Sequence, residues 1–207
     1  MKLTWLGHSC YLVEQDGYRI VIDPYKDGSV PGLKGLALSA NEVLCSHMHD
    51  DHGYKEAITM VPATAPTPFQ ITRIESTHDD EGGSRRGGNI IHVLEAKGVR
   101  VAHLGDLGCM LSKAQIEEIG RIDALMIPIG GFYTIDAEQA KQVADVLSQK
   151  VILPMHYRSK TFGMPVLINT VEDFLSLYAD EQVRRADTNE IDIELDMPVQ
   201  VVALQYL

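Results

Sequence analysis

The chain has 207 residues, 45% of them hydrophobic and 23% charged, and a formal net charge of −11. Ordinary globular composition at this length predicts one domain, residues 1–207, burying about 70% of its unfolded surface. The acidic balance speaks against a nucleic-acid partner, whose phosphates need a basic face, and no stretch approaches the ~20 apolar residues of a membrane span.

In chain order, Leu3 to Asp23 reads as strands, with an Asp16-Gly17 turn joining Tyr11-Leu12-Val13 to Ile20-Val21-Ile22 in a hairpin. Glycine and proline make residues 27–35 and 61–68 loops. Strand-like runs follow at Ile71–Ser76, Asn89–Leu94 and Val99–Leu104, and the glycine-rich stretch Glu81–Gly88 reads as mobile. The second half alternates. Ser112-x-x-Gln115 and Asp136-x-x-Gln139 are capping-box patterns opening helices, the second with Ala140, Val143, Ala144 and Leu147 on one face. A third helix is expected over Val171–Tyr178, and short strands at Ala124–Ile127, Val151–Leu153 and Val199–Leu204. Strands first, then strands alternating with helices, predict an α/β domain with covered sheets. Cys10, Cys45 and Cys109 form no Cys-x-x-Cys pair, and Met1–His8 holds no apolar leader, so a reduced, cytoplasmic setting is expected.

The densest chemistry lies in Ser46-His47-Met48-His49-Asp50-Asp51-His52, directly after the apolar Val43-Leu44-Cys45. Written His-x-His-x-Asp-His, it offers His47, His49, Asp51 and His52 as donors of the kind Zn²⁺ takes in hydrolytic sites. Other polar residues sit in matching places. Ile71–Thr77 runs into His78, Val101–Leu104 into Gly105-Asp106, Ala124–Ile127 into Gly130-Gly131, and Val151–Leu153 into His156. Functional residues gather beyond the carboxyl ends of strands in α/β sheets, so these residues converge if the strands share direction. Seven candidates, His47, His49, Asp51, His52, His78, Asp106 and His156, are too many for one zinc and suit two divalent ions. Such a pair lowers the pKa of a held water towards ~7 for attack on a carbonyl or phosphoryl centre.

These pieces, with Trp5-Leu6-Gly7-His8-Ser9 at the start and Pro154-Met155-His156 near the end, resemble the metallo-β-lactamase superfamily. Within it they resemble the branch of metal-dependent hydrolases that includes the ascorbate-6-phosphate lactonase. The resemblance implies a four-layer αβ/βα sandwich of two mixed sheets flanked by helices, with the site at one edge. It implies that His47, His49 and His78 hold one metal, that Asp51, His52 and His156 hold the other, and that Asp106 bridges. Diiron redox members tend to carry glutamate where this chain has His49, so zinc-type hydrolysis is implied, with manganese or iron as alternatives. The implied activity is hydrolysis of a lactone, ester or phosphodiester of a small polar metabolite, with Asp51 and His52 as catalytic residues. A diiron redox enzyme and a non-catalytic metal-binding domain are the rival readings, and homo-oligomerisation stays open.

The remaining polar residues divide more evenly. His8 is either a substrate-side group or a strand histidine. His103 is expected in the core or behind the ligands, and His92 in a structural role. Asp79 and Asp80 either orient imidazoles or are solvated. Gly130-Gly131 either presents N–H groups to an anion or serves a turn, and Arg85, Arg86, Tyr157, Arg158 and Lys160 are candidate anion contacts.

Overall fold

The computed structural model describes residues 1–163 and 168–207. The strands in the first half are Lys2–Gly7 (β1), Cys10–Gln15 (β2), Tyr18–Ile22 (β3), Leu38–Ala40 (β4), Glu42–Leu44 (β5), Ile58–Met60 (β6), Gln70–Thr77 (β7) and Gly88–Ala96 (β8). Then come Val99–His103 (β9), helix Lys113–Ile119 (α1), Ala124–Pro128 (β10), helix Ala137–Val146 (α2), Val151–Met155 (β11) and helix Val171–Leu175 (α3). Val183–Arg185 (β12), Glu190–Asp192 (β13) and Gln200–Ala203 (β14) close the set.

These strands form a five-stranded sheet, β13-β1-β2-β3-β5, a seven-stranded sheet, β12-β14-β11-β10-β9-β8-β7, and a small β4-β6 ribbon. Period-two alternation decides the faces. Tyr11, Val13, Ile20 and Ile22 point into the main core shared with the seven-stranded sheet, whereas Cys10, Leu12 and Val21 point outward. The outward set is covered by Tyr25, Ala40 and Ile58 with Leu33, Leu36 and Leu38, so the β4-β6 ribbon and the preceding loop roof that face. All three helices pack against the seven-stranded sheet or each other. The mixed sheets with few helices are the α/β architecture expected.

Local chemistry explains the better-read elements. At the Asp16-Gly17 turn both residues have positive φ, 52° and 79°, which matches the twist of a two-residue hairpin. Both capping boxes form: Ser112 and Asp136 accept from the N–H groups of Gln115 and Gln139, whose side chains return the bond. Helix α2 buries Ala140, Val143 and Ala144 as its spacing predicts. Helix α3 is shorter than the expected Val171–Tyr178, and turn hydrogen bonds continue from Ser176 to Tyr178.

The glycine-rich stretch after β7 is a correction. Residues 81–88 are not a free loop, because one buried carboxylate organises them. Asp79 accepts backbone N–H bonds from Glu81, Gly83, Arg85 and Arg86 at 2.7–3.0 Å. Burial pushes the Asp79 carboxyl up, but these four donors outweigh it and hold its pKa down at about 2. Removing the carboxylate leaves four N–H groups without that acceptor. The Asp79→Ala variant is therefore expected to be cut by trypsin at Arg85 or Arg86 under conditions where the wild type is resistant. Equal resistance of the two proteins contradicts this role.

Candidate metal centre

Strand direction places the site. In the seven-stranded sheet β9, β10 and β11 are mutually parallel, and β7 is antiparallel to β8, which is antiparallel to β9. Hence β7, β9 and β11 all point one way, and their carboxyl ends carry His78, Asp106 and His156. In the five-stranded sheet β1, β3 and β5 also share a direction, through two antiparallel pairings and one parallel pairing. Their ends carry His8, Asp23 and the His47–His52 segment. Six strand ends therefore supply one cluster, three from each sheet.

Asp106 is its hub. The Oδ2 atom lies 3.2 Å from His52 Nε2, 3.3 Å from His78 Nε2 and 3.2 Å from His156 Nε2. Two donors held at 2.0–2.1 Å on one tetrahedral zinc stand about 3.3 Å apart, so these are the separations of atoms sharing an ion. Around this hub, donors within 4.8 Å of one another fall into three groups among the described residues: His47, His49 and His78; His47, His52 and Asp106; and His8, Asp51, His52 and His156. All seven sequence candidates are thus brought together, and His8 joins Asp51, His52 and His156 in the last group. Orphaned atoms test the fit. His47 Nε2, His52 Nε2 and Asp106 Oδ1 are buried without a hydrogen-bond partner, an arrangement that a cation between them satisfies.

The outer nitrogens of the imidazoles are fixed by neighbours. Asp23, at the end of β3, accepts from Ser46 N–H and Ser46 O–H at 2.6 Å each and from His52 Nδ1 at 3.0 Å. Because Ser46 Oγ donates to Asp23, it accepts from His47 Nδ1–H at 2.9 Å. His78 Nδ1–H donates to the Tyr133 carbonyl at 3.1 Å. Each arrangement leaves Nε2 as the lone pair facing inward, the tautomer a metal requires. The Asp106 turn is fixed too: Asn89 Oδ1 accepts from Asp106 N–H, and His103 Nδ1 accepts from Gly105 N–H while its Nε2–H donates to the Ser9 carbonyl. Only glycine suits position 105, where φ is +57° and a Cβ would stand 2.3 Å from Asn89 Oδ1.

The electrostatics divide along the same lines. Burial and then the neighbouring His52 push the His47 pKa down to about 3, and burial also lowers that of His78. Burial alone would lower His52 too, yet Asp106 and Asp23 together hold it well above its ordinary value. Burial raises the carboxyl of Asp106, but His156 and His52 outweigh it and keep the group ionised far below the usual range. Ionised Asp106 among converging imidazole nitrogens is a donor set of the kind that divalent ions bind.

A model of the Beta-lactamase superfamily domain matches residues 2–156, which contain every one of these donors. The chain belongs to the β-lactamase superfamily. A metal-dependent hydrolase from Archaeoglobus fulgidus is 29% identical over 84% of this chain and 89% of its own length. One from Methanoregula boonei is 30% identical over 77% and 83%. A Thermotoga maritima structure, assigned as a Zn-dependent hydrolase of the metallo-β-lactamase superfamily, is 34% identical with a TM-score of 0.78, covering 98% of this chain and 97% of that one. This superfamily member is thereby kin to metal-dependent hydrolases.

Several polar residues of this β-lactamase superfamily chain turn out to have structural partners. Gly131 N–H bonds the Ile135 carbonyl, and a Cβ on Gly130 would meet the His156 carbonyl at 2.2 Å, so this glycine pair serves close packing. Tyr157 is buried with its ring 5.5 Å from that of Trp5, and Arg158 Nε donates to the Ile168 carbonyl. Arg86 lies over the rings of Phe132 and Tyr133, at 5.9 and 5.6 Å, beside the His78 anchor, whereas Lys160 is exposed. Asp23 was missed in the sequence, although it follows the apolar Ile20–Ile22 as Asp106 follows Val101–Leu104. No helix among the described residues is long and apolar enough to cross a membrane.

Proposed function

We propose that the chain is a dinuclear metal-dependent hydrolase acting on a lactone, ester or phosphodiester of a small polar metabolite. The observation that carries this reading is Asp106 Oδ2 within 3.3 Å of three imidazole Nε2 atoms, with further donors gathered on both sides. His47, His49 and His78 would hold one ion and Asp51, His52 and His156 the other, with Asp106 placed to serve both. When bound, two such ions supply Lewis acidity and a water activated near neutral pH, with zinc favoured by the imidazole-rich set and manganese or iron compatible with it.

The chain's own residues do the rest. Asp51 is the carboxylate of the second group that reaches solvent, one-fifth exposed, whereas His52 and Asp106 are shut in. Burial raises its carboxyl, but the neighbouring imidazoles outweigh this and hold it ionised, so Asp51 would accept a hydrogen bond from the attacking water and orient it. His52, with its Nδ1–H donated to Asp23, would hold metal through Nε2. Arg86, over the ring of Tyr133 whose carbonyl anchors His78, is a cation that suits a negatively charged substrate. The protein works as a single domain in the cytoplasm on a small molecule, without nucleic acid or membrane.

Elemental analysis of purified protein is expected to return close to two equivalents of divalent metal per chain. A panel of lactones, esters and phosphodiesters is expected to yield one hydrolysed class, with activity lost on chelation and restored on adding metal. Metal-free protein, or turnover that survives chelation, overturns the reading.

A further inference from the structure

One buried group remains that neither the Asp51–His52–His156 set nor the surrounding hydrogen bonds use. His8 follows β1, is 1% exposed, and has both ring nitrogens without a hydrogen-bond partner. A histidine in that condition carries a desolvation penalty unless something else receives its lone pair. His92 is equally buried and unpaired, but no other donors gather around it among the described residues. His8 differs, because its donor atom lies within 4.8 Å of those of Asp51, His52 and His156. Two donors on opposite sides of one ion, each about 2.1 Å away, stand about 4.2 Å apart, so this cluster spans one coordination sphere with little adjustment.

The backbone is shaped to deliver the ring. His8 has φ 51° and His156 has φ 54°, both in the left-handed region that non-glycine residues rarely occupy. The two turns hold each other, since the His8 carbonyl accepts from His156 N–H at 3.2 Å and from Trp5 Nε1–H at 2.9 Å. Their rings then stand 4.1 Å apart, and that of His8 is 4.9 Å from His52. His8 Nε2 is also 3.4 Å from Asp51 Oδ2, yet this approach lacks hydrogen-bond geometry. The two atoms face a common point rather than each other.

We propose that His8 is a direct protein donor to the second metal position, completing with Asp51, His52 and His156 a set of four. The inference rests on the dinuclear reading above. It makes the two positions unequal: three imidazoles and the shared Asp106 on one side, three imidazoles, Asp51 and the shared Asp106 on the other.

The test is stepwise cobalt(II) binding, read by competition against a chelator of known strength, with X-ray absorption counting imidazoles. His8→Asn is the variant of choice, because asparagine tolerates positive φ and its side chain is too short to take the place of the ring. His8→Ala provides a second truncation. The wild type is expected to take two equivalents with six imidazoles in total. Both variants are expected to keep the first equivalent unchanged, which also reports an intact fold, and to show five imidazoles. Their second dissociation constant is expected to rise by at least roughly 100-fold, beyond the 10–100-fold typical for losing an outer partner. Unchanged affinity for both equivalents, or equal weakening of the two, overturns the proposal. Wild-type protein that binds no metal overturns the dinuclear reading itself, a separate and recognisable failure.

Discussion

Replacing Asp106 with alanine is expected to reduce turnover by at least about 10²–10³-fold, the scale of losing a principal electrostatic element of a site. Its Oδ2 is the atom from which His52, His78 and His156 are all 3.2–3.3 Å away, so its removal separates the two donor groups. The metal content is expected to fall below two equivalents, and Asp106→Asn separates charge from shape. An amide keeps the volume but supplies no negative charge to offset two cations, so this variant is expected to fail as well. Retention of both metals with wild-type turnover in either variant contradicts the bridging role.

Asp23→Asn is the second large effect, and it acts without touching the metals. Asp23 receives the Nδ1–H of His52 directly and that of His47 through Ser46, so one carboxylate sets the tautomer of a donor in each group. An amide nitrogen turned towards His52 favours the opposite tautomer, with the proton on Nε2 where a lone pair is required. Metal affinity is expected to drop about 10–100-fold, with turnover following at limiting metal. Chelator competition measures this, and unchanged affinity rules the role out. The same group has a pH signature. Burial raises the Asp23 carboxyl, but His52, then His103 and Ser46, outweigh it and bring its pKa to about 2, below the ordinary 3.8. A depressed carboxylate stabilises the fold above its unfolded pKa and loses that contribution as pH falls through the folded one. The Tm advantage of wild type over Asp23→Asn is therefore expected to be full at neutral pH and to close between about pH 4 and pH 2.

The site was legible in the sequence to the extent that it obeys a strand-end rule. His78, Asp106 and His156 each follow an apolar run, and the His47–His52 segment does too. Asp23 follows Ile20–Ile22 by the same rule, but a lone Asp before Pro24 also reads as a turn residue, and only the parallel pairing of β3 with β5 sets it beneath Ser46. His8 was undecidable because its surroundings come from the turn after β11, at the far end of the chain. Asp79 misled in the other direction. Glycines around residues 81–88 indicate backbone freedom, while the carboxylate that removes it lies outside the glycine run. Strands β4, β6, β12 and β13 have three residues each, too few to show a period. Their existence depends on tertiary pairing, such as β13 lying against β1.

The contribution of three strand ends from each sheet has a mechanical consequence. The donors on β1, β5 and their following turns belong to one half of the sandwich, and those on β7, β9 and β11 to the other. An ion shared across that seam is a cross-link between the halves, comparable to a disulfide in that it restrains chain segments far apart in sequence. Ligand that binds only the folded chain adds RT ln(1 + [L]/Kd) to its stability, about 4 kcal/mol at a thousandfold excess over Kd. A centre that held metal there would thus also act as a rivet between the two sheets.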